Sequence, residues 1–521
     1  MEMTLRADGL TTKPPSGSSS GPPSLGATMS TTAASRRRRT YGSISISSLE
    51  LTDDEHDLSI PEKVAAASSA KTPPEDPEPL TSDFSTFINL FKSYLGVGYL
   101  SLPHAFQYAG LWFGSAVFPI IVIATVHCLH LLLQSSRELS RRHKLGTLNY
   151  EETAQVAFLG STPVAQKMAS SFSFTVRFFL VTMQLGLCCA FYQFVVSNLF
   201  QFVECQMGGT RVTYLGYSAI VILPMLVVSF IKDLKTISYI SLVSAITQLI
   251  SIGVILYYCT APDISSSKYS SLPAIGKWDE IPLFFGITFF SFEGIGLVIL
   301  LENKMKNPEN LGGATGILNI GMSLIAIVFF ALAFYGYLAF GAKTAGSITL
   351  NLPMSSGLAR MVIFCLTFAV LLSFPLQLYV PVHVLLPFVI TDLDSERSVA
   401  FKECFIRVVL VFSIFSLCAG IPNISIFISF VGAVSSSALS FVFPPLIHIL
   451  TFTPAKNWRG KLVILKAVLI MTLGVMGFAT GTYTSLTRIV AIIHGPETWG
   501  TLDCGGHTVP SKHPSLSPPI V

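Results

Sequence analysis

The chain has 521 residues, of which 51% are hydrophobic and only 12% are charged, against about 25% charged residues in soluble domains. Together with a mean hydropathy of +0.62, this composition excludes an ordinary soluble globular protein and predicts a polytopic membrane protein. The net charge of +4 says little by itself, because the placement of Lys and Arg between spans decides orientation in a membrane.

Residues 1–81 predict a disordered tail. They contain Pro-Pro and Ser-Ser-Ser clusters, a basic run at Arg36–Arg39 and an acidic patch at 53–55, a composition that cannot bury a core. We favour a solvated tail with regulatory phosphorylation sites. The alternative is that Arg36–Arg39 binds anionic lipid, or that Tyr41 and Leu51 belong to a sorting signal. Because this stretch has no apolar signal-peptide segment, we expect the first span to direct insertion itself.

Eleven apolar segments from Phe84 onward approach the ~20 residues that a helix needs to cross a bilayer. They predict an eleven-helix membrane domain over 82–494, followed by a short tail over 495–521. Between the second and third segments, we expect an amphipathic helix around Tyr150–Gln166 on the cytoplasmic surface. The predicted spans are 84–108, 111–133, 172–203, 212–230, 237–259, 280–302, 314–340, 357–390, 403–421, 425–452 and 462–494.

Loop charge indicates the orientation of the spans. If the tail is cytoplasmic, the loops on its side hold most of the Lys and Arg residues that lie between spans. The loops on the other side hold only Arg211, Lys268, Lys277, Lys343 and Lys512. We therefore predict a cytoplasmic N-terminus and an extracellular or lumenal C-terminus. Both an endolysosomal or vacuolar membrane and the plasma membrane fit this arrangement.

Nine cysteines are present, and most lie within predicted spans, where they are expected to be small core residues because no CxxC spacing occurs. Cys205 and Cys504 fall on the predicted outer side, so they are candidates for a disulfide in an oxidising compartment. The spans contain no metal-ligand cluster, nucleophile elbow or phosphate-binding loop. We therefore predict no metal, no cofactor and no enzymatic activity, and no nucleic acid among the partners.

Two spans are interrupted by glycines near their middle. The stretch Phe289–Asn303 is apolar but contains Glu293 followed by Gly294-Ile295-Gly296. A charged side chain at the bilayer centre costs at least ~2.5–3.5 kcal/mol, and a helix interrupted there exposes backbone groups that only a protein-lined cavity can satisfy. The second interruption, Gly96-Val97-Gly98 followed by Pro103, lies in the first span.

The two interrupted spans lie five spans apart, as the first and sixth. In inverted-repeat transporters, the first helix of each half is broken near the midplane, so half-helix N-termini face anionic groups and unwound carbonyls hold cations. Gly96 and Gly98 would let backbone N–H groups face a carboxylate, while Gly294 and Gly296 would free carbonyls for an ammonium. Such a site fits a zwitterionic α-amino acid. The alternative is that each Gly-x-Gly is a close-packing notch between helices.

Four motifs in this order resemble the proton-coupled amino acid transporters of the amino acid/auxin permease family. The resemblance extends from about Ser82 to Arg488, and plant vacuolar amino acid transporters of the same superfamily share much of it. It implies an all-α integral membrane protein with a LeuT-type fold, a 5+5 inverted repeat with broken helices 1 and 6. The motifs are Leu90–Pro103 with Ala109-Gly110-Leu111, Phe292–Gly296 with Leu301–Met305, Gln377–Pro381, and Phe430–Leu439 with Pro444-Pro445.

The chain departs from the animal members of that family at two points. Those members carry a His in the first span that has been linked to proton coupling, and Asn89 stands at that position here. They also have an outer-loop cysteine pair, whereas the loop 341–356 has no Cys. The resemblance, more than these residues, therefore implies proton coupling.

Three residues are candidates for proton coupling. Glu293 leads, because a carboxyl group buried in the membrane can load and unload a proton; its alternative role is to accept backbone N–H groups freed by the interruption. His104 titrates near neutrality and could serve an outer gate. Lys92 could occupy the space of a sodium ion, or be a structural lysine. We expect Glu302 to lie nearer the cytoplasmic end and to pair with Lys304.

Further polar and aromatic residues of the interrupted spans and of spans 3 and 8 are candidates for substrate binding. Polar groups in such helices are as often interhelical hydrogen-bond partners worth ~0.6 kcal/mol each. The predicted substrate-binding residues are Tyr94, Gly96, Val97, Gly98, Phe289, Phe292, Gly294, Tyr192, Ser373 and Tyr379.

The sequence thus predicts a secondary transporter that moves small neutral α-amino acids into the cytosol by alternating access, with proton symport. Its expected partners are those amino acids, protons and the lipid bilayer. One alternative is sodium coupling through span 1 carbonyls and the Ser373 hydroxyl; another is uncoupled transport. A third is a membrane amino acid sensor with little flux.

Overall fold

The computed structural model describes residues 80–207, 212–232, 234–260, 272–313, 315–390, 395–421, 423–452, 458–494, 500–503 and 508–511. These residues are almost entirely helical. The helices are α1 Asp83–Tyr94, α2 Leu102–Ala109, α3 Leu111–His143, α4 Tyr150–Leu159, α5 Pro163–Met207, α6 Tyr214–Ser229, α7 Leu234–Thr260, α8 Ile281–Ser291, α9 Ile295–Asn303, α10 Ile317–Phe340, α11 Gly357–Leu385, α12 Glu396–Gly420, α13 Ile424–Val431, α14 Phe443–Phe452 and α15 Trp458–His494.

Among the described residues, nine helical regions are long and apolar enough to cross a membrane. The region Ile281–Asn303, formed by α8 and α9, and the region Ile424–Phe452 are two of them. The shorter α6 is also apolar, and each of the eleven predicted spans overlaps described helices. The predicted all-helical membrane architecture is therefore confirmed. Two short strands, β1 Gly500–Asp503 and β2 Thr508–Ser511, pair antiparallel and were not predicted.

The segment between the second and third predicted spans differs from the expectation. The amphipathic helix predicted over 150–166 is the shorter α4, which Asn149 and Glu152 cap reciprocally at its start. It ends at Leu159, with Gly160 as its C-cap, and Pro163 begins a new helix, α5, as the fixed φ and missing N–H of proline favour. Since α5 continues without a break to Met207, span 3 begins nine residues before the predicted 172.

Helix α4 is embedded in the protein. Tyr150 is buried, and its hydroxyl donates a hydrogen bond to the carbonyl of Leu439 at 2.6 Å. Glu151 forms an ion pair with Arg177 of α5 at 2.7 Å. These contacts fix α4 against the segment that contains Leu439, and they correct the prediction of a helix lying only on the membrane surface.

Three irregular places in the described helices bear on the site. After α1 ends at Tyr94, the chain forms a 3₁₀ turn at Gly98–Ser101 before α2; we call residues 95–101 the first interruption. Residues 292–294, between α8 and α9, form the second interruption. Between α13 and α14, residues Gly432–Val442 form a π-helix. This form is rare in proteins, and where it occurs it is often at a functional site. We call it the π segment.

Close backbone packing places the π segment against α8. A Cβ built on Gly432 would lie 2.0 Å from the carbonyl oxygen of Gly286, and one on Gly286 would lie 2.4 Å from that of Ser429. Both glycines are therefore required by this contact, in which small residues let two helices approach. The packing brings the π segment alongside the second interruption.

Candidate functional site

Each interruption touches the end of the helix that precedes the other, and we call this pair of contacts the contact between the interruptions. A Cβ on Gly294 would lie 2.7 Å from Cζ and 2.8 Å from the hydroxyl oxygen of Tyr94. A Cβ on Gly98 would lie 3.0 Å from the Cα of Ser291, the last residue of α8. The glycines singled out from the sequence therefore allow one interrupted segment to lie directly on the other.

Glu293 lies at this contact and is held by the π segment. Ser440 Oγ donates a hydrogen bond to Glu293 Oε2 at 3.0 Å. Glu293 thus links the second interruption to the π segment. Sequence reasoning missed Ser440, which lies one residue beyond the Phe430–Leu439 motif.

The hydroxyl of Tyr94 is buried beside Gly294 and has no hydrogen-bond partner among the described residues. A buried hydroxyl without a partner is costly, so this group is suited to a ligand that supplies one. Tyr94 was among the predicted substrate-binding residues. Val97, also predicted, is fully buried in the first interruption, where its carbonyl accepts from the N–H of Leu100.

The carbonyl of Gly294 is occupied. It accepts hydrogen bonds from the N–H groups of Leu297 and Val298, each at 3.0 Å. The sequence predicted that this carbonyl would be free to face an ammonium group. In the structure, α9 begins at the very next residue and uses the carbonyl in its first turn.

In the first interruption, two carbonyl groups receive their hydrogen bonds from another helix. With the side-chain amide of Gln248 oriented so that both its atoms have partners, Nε2 donates to Leu95 O at 3.2 Å and to Gly96 O at 3.3 Å. Gln248 belongs to α7 and is 2% exposed. The Cβ position of Gly96 is open by comparison, its nearest atom being Phe191 Cε1 at 3.7 Å.

Ser373, predicted as a site residue, connects to this amide through a second serine. Its hydroxyl lies 2.6 Å from Ser244 Oγ, which in turn lies 3.3 Å from the amide of Gln248. Sequence reasoning missed Gln248 and Ser244. The signal was present, because buried polar residues recur along one face of α7 at helical spacing: Ser241, Ser244, Gln248 and Ser251.

The side chains of the remaining predicted substrate residues make other contacts, although Phe292 itself belongs to the second interruption. The Tyr192 hydroxyl donates to Ser218 O at 2.5 Å. The ring of Phe289 packs on Phe441 with centroids 4.5 Å apart, and Phe292 packs on Phe118 and Phe329. Tyr379 stacks on His383 with centroids 3.7 Å apart. Lys92 is half-buried in the last turn of α1.

His104 lies in the first turn of α2, against the segment 341–351. Its Nδ1 lies 2.7 Å from the carbonyl of Thr344, which can only accept, so we assign the proton to Nδ1. In the neutral ring, Nε2 then accepts from the Tyr108 hydroxyl at 2.8 Å. Gln107 and Gln201 also donate to this segment, to the carbonyls of Ala342 and Leu350. The segment is therefore held on the predicted outer side, and His104 is part of that contact.

On the predicted cytoplasmic side, α9 is tied to α3. Glu302 is 4% exposed, and it accepts a hydrogen bond from Arg137, whose Nη2 also donates to Pro308 O at 2.6 Å. The expected pairing of Glu302 with Lys304 is therefore wrong. The guanidinium of Arg137, from α3, presents a planar fork of donors to the carboxylate of Glu302. Lys304, which directly follows α9, has a compact ammonium group that cannot present such a fork.

The start of α1 is also joined to the end of α9. Thr81 N donates to Lys304 O at 2.8 Å, and Lys306 N donates to Thr81 O at 3.1 Å. These two bonds form a short parallel bridge between Thr81 and Met305. Both interrupted segments are thus linked at this end as well as at their middle.

Cys205 is disulfide-bonded, while its predicted partner Cys504 lies outside the described residues, so the pairing stays a prediction. Seven cysteines are free, all of them in described helices. Within the described residues, no group of three or more His, Cys, Asp or Glu side chains is placed to hold a metal ion.

Comparison with known proteins finds amino acid transporters, both in a family model and among individual relatives. The family model described as transmembrane amino acid transporter protein matches residues 80–487. The Drosophila melanogaster proton-coupled amino acid transporter-like protein pathetic is 28% identical over 433 residues, 82% of this chain and 89% of its own length. The Caenorhabditis elegans probable amino acid transporter skat-1 is 26% identical over 422 residues, 79% of this chain and 90% of its own.

Among solved structures, the inward-facing conformation of Mhp1 aligns with a TM-score of 0.51, covering 81% of this chain and 93% of Mhp1 at 14% identity. At that identity the likeness shows the fold alone. It agrees with the LeuT-type fold that the sequence resemblance implies.

Proposed function

Because the chain belongs to the transmembrane amino acid transporter family, we propose that it moves small neutral α-amino acids into the cytosol by alternating access, with protons moving in the same direction. Family membership makes it a multi-pass membrane protein and a transporter rather than an enzyme. The amino acid class, the direction and the proton coupling are the proposal. The names of the Drosophila and C. elegans relatives support amino acid transport, and the former supports proton coupling.

We further propose eleven spans in a 5+5 inverted repeat, in which the interrupted segments are broken helices 1 and 6. The count adds the region from α1 to α2 and the short helix α6 to the nine long apolar regions described. The predicted tail over 1–81, of which residues 1–79 lie outside the described residues, would then be cytoplasmic, and residues 495–521 extracellular or lumenal. Endolysosomal, vacuolar and plasma membranes all fit.

The observation that carries the proposal is the contact between the two interruptions. Two helices that stop at the same depth and touch there leave a region lined by backbone, where a ligand can replace the missing helical bonds. The unpartnered hydroxyl of Tyr94 lies in that region. The closeness of Gly98 to Ser291 and of Gly294 to Tyr94 leaves little room, which favours a small substrate side chain.

Glu293 is the proposed proton carrier, and its partner Ser440 suits that role. A hydroxyl can donate to an ionised carboxylate and can also accept from a protonated one. The Glu293–Ser440 contact, at 3.0 Å, therefore accommodates both protonation states without a change of partner. Loading and unloading a proton would alter the charge beside the interruption while the packing stays in place.

The test is uptake into proteoliposomes with an imposed pH gradient, in which glycine, alanine, proline and larger amino acids compete. We expect small neutral amino acids to accumulate when the outside is acidic. Glu293→Gln should lose gradient-driven accumulation but retain exchange across the membrane, because the neutral amide cannot release a proton. The matched control is Glu138→Gln, which removes a partly exposed carboxylate paired with Arg141 and Arg142 and should behave as wild type.

Two results would contradict the proposal. Accumulation by Glu293→Gln equal to that of the wild type would remove Glu293 as the proton carrier. Saturable amino acid binding without flux, in vesicles that retain correctly inserted protein, would favour the sensor.

A further inference from the structure

The carbonyl groups of Leu95 and Gly96 need hydrogen-bond donors from outside their own helix. Helix α1 ends at Tyr94, so no following turn of that helix supplies N–H groups to them. A buried carbonyl left without a donor inside a membrane is costly. A transporter can meet this need in two ways, by binding a cation at the carbonyls or by presenting a donor of its own.

Here the donor is the amide of Gln248. Its Nε2 lies 3.2 Å from Leu95 O and 3.3 Å from Gly96 O. The Tyr99 hydroxyl lies 3.4 Å from the same amide. Among the described residues, it is the ionisable group within hydrogen-bonding distance of Gln248. Gln248 is 2% exposed. One neutral side chain therefore satisfies both carbonyls from a buried position.

The surroundings of this amide are those of a cation site. Ser244 Oγ lies 3.3 Å from the amide, and it also contacts Ser373 Oγ at 2.6 Å and Ala369 O at 2.7 Å. Two carbonyls of the first interruption and the Ser244 hydroxyl of α7 thus lie within hydrogen-bonding distance of the amide, and the Ser373 hydroxyl of α11 contacts Ser244. Carbonyl and hydroxyl oxygens are the ligands that hard cations prefer, and unwound carbonyls hold coupling ions in broken-helix transporters.

We propose that Gln248 fills the position of a coupling cation, so that transport by this protein is independent of sodium. This inference rests on the proposed function and deepens it, since it identifies the residue that excludes one coupling ion. The amide supplies two N–H donors to the carbonyls that a cation would otherwise neutralise. The amide oxygen of Gln248 lies next to Ser244 Oγ, which in turn hydrogen-bonds with the Ser373 hydroxyl.

The sharpest variant is Gln248→Glu, which is nearly the same size as the wild type. An ionised carboxylate has no donor for the carbonyls of Leu95 and Gly96 and adds two acceptor oxygens to the same position. The two carbonyls then face only acceptor oxygens of this side chain, and they require either a sodium ion or a proton on the carboxylate. Loss of two hydrogen bonds of ordinary strength corresponds to about a tenfold or greater reduction in transport.

We expect wild-type uptake to be unchanged when sodium is replaced by choline. Gln248→Glu should lose about tenfold or more of its uptake in choline at alkaline pH, and sodium or acidification should restore it. Sodium should also raise the thermal stability of this variant in detergent and leave that of the wild type unchanged. The matched control is Gln193→Glu, at a buried glutamine of α5 whose amide donates to Ile421 O; neither sodium nor acid should rescue it specifically.

The outcomes separate this inference from the proposed function. A wild type that transports no amino acid under any condition contradicts the proposed function. A wild type that transports but requires sodium overturns the inference alone, and this result needs no variant to fold. A folded Gln248→Glu protein that responds to neither sodium nor acid, or responds no more than Gln193→Glu, also overturns it and leaves the amide as an interhelical hydrogen-bond partner.

Discussion

Replacing Gly98 by alanine is the most direct test of the contact between the interruptions. The added Cβ would lie 2.9 Å from Phe290 Cδ1 and 3.0 Å from Ser291 Cα, whereas carbon atoms in ordinary contact are about 3.5–4.0 Å apart. The Cα of Ser291 belongs to the backbone, so no side-chain rotation relieves the clash. The two segments must therefore separate by about 0.5–1 Å.

The expected size of the effect follows from that overlap. Overpacking of a well-packed interior costs about 1–3 kcal/mol, and each 1.4 kcal/mol is a factor of about ten in an equilibrium. The conformation in which the interruptions touch should become about 5- to 150-fold less populated. Because the proposed cycle passes through that conformation, initial uptake rates should fall by a similar factor.

Gly96→Ala is the matched control within the same interruption. Its added Cβ would meet only Phe191 Cε1, at the ordinary distance of 3.7 Å, and Gly96 is not among the described residues with positive φ. Both variants should be compared in proteoliposomes that contain equal amounts of inserted protein, with thermal stability recorded in detergent. Wild-type uptake by Gly98→Ala, or loss of uptake confined to Gly96→Ala, would refute the proposed contact.

Three further predictions concern stability and covalent structure. Gly110 has a φ of +83°, and a Cβ there would lie 2.6 Å from the nitrogen of Gly276. Gly110→Ala should therefore lower the stability of the protein by at least ~1–2 kcal/mol. Thermal unfolding in detergent measures this, and an unchanged midpoint would contradict it. Arg407, 1% exposed, pairs with the buried carboxylate of Glu403 at 2.9 Å, so Arg407→Met should cost about 3 kcal/mol in the same assay, and a neutral result would show that the pair contributes nothing. Reduction should shift the electrophoretic mobility of the wild type but not of Cys205→Ser, and identical behaviour of the two would argue against an intramolecular bridge.

The positions of the interruptions were predictable because glycine and proline act locally. Gly-x-Gly at corresponding places in the first and sixth spans indicated where helices stop, and α1 and α8 end within a few residues of those glycines. A carboxylate in an apolar stretch needs partners wherever it lies. That Glu293 stands at the contact therefore followed from the sequence, although its partner Ser440 did not.

Partners that come from distant parts of the chain were not predictable. Arg137 and Glu302 are 165 residues apart, and nothing in the local pattern of α9 distinguishes that arginine from the nearby Lys304. The Tyr192 hydroxyl shows the same limit, since a polar group in an apolar helix indicates that a partner exists without identifying it. In this structure the Tyr192 hydroxyl donates to the carbonyl of Ser218.

Two features depend on packing that a single chain does not encode locally. The serines of the π segment, Gly432–Val442, have the pattern of an ordinary small-residue helix, and the wider winding accompanies the close approach of Gly432 to α8. In the sequence, nothing distinguishes Gln248 from any other glutamine whose amide bonds between helices. Its significance follows only from its distances to Leu95 O and Gly96 O, which depend on how α7 packs against the first interruption.

The bridge between Thr81 and Met305 limits how this protein can open toward its predicted cytoplasmic side. Its two backbone hydrogen bonds, at 2.8 and 3.1 Å, join the first residues before α1 to the residues after α9. If α1 swings away as a lone hinged arm, both bonds must break. If α1 and α9 rotate together as one rigid body, neither is lost. The molecule is therefore built to favour a paired movement of its two interrupted segments over the independent release of the first.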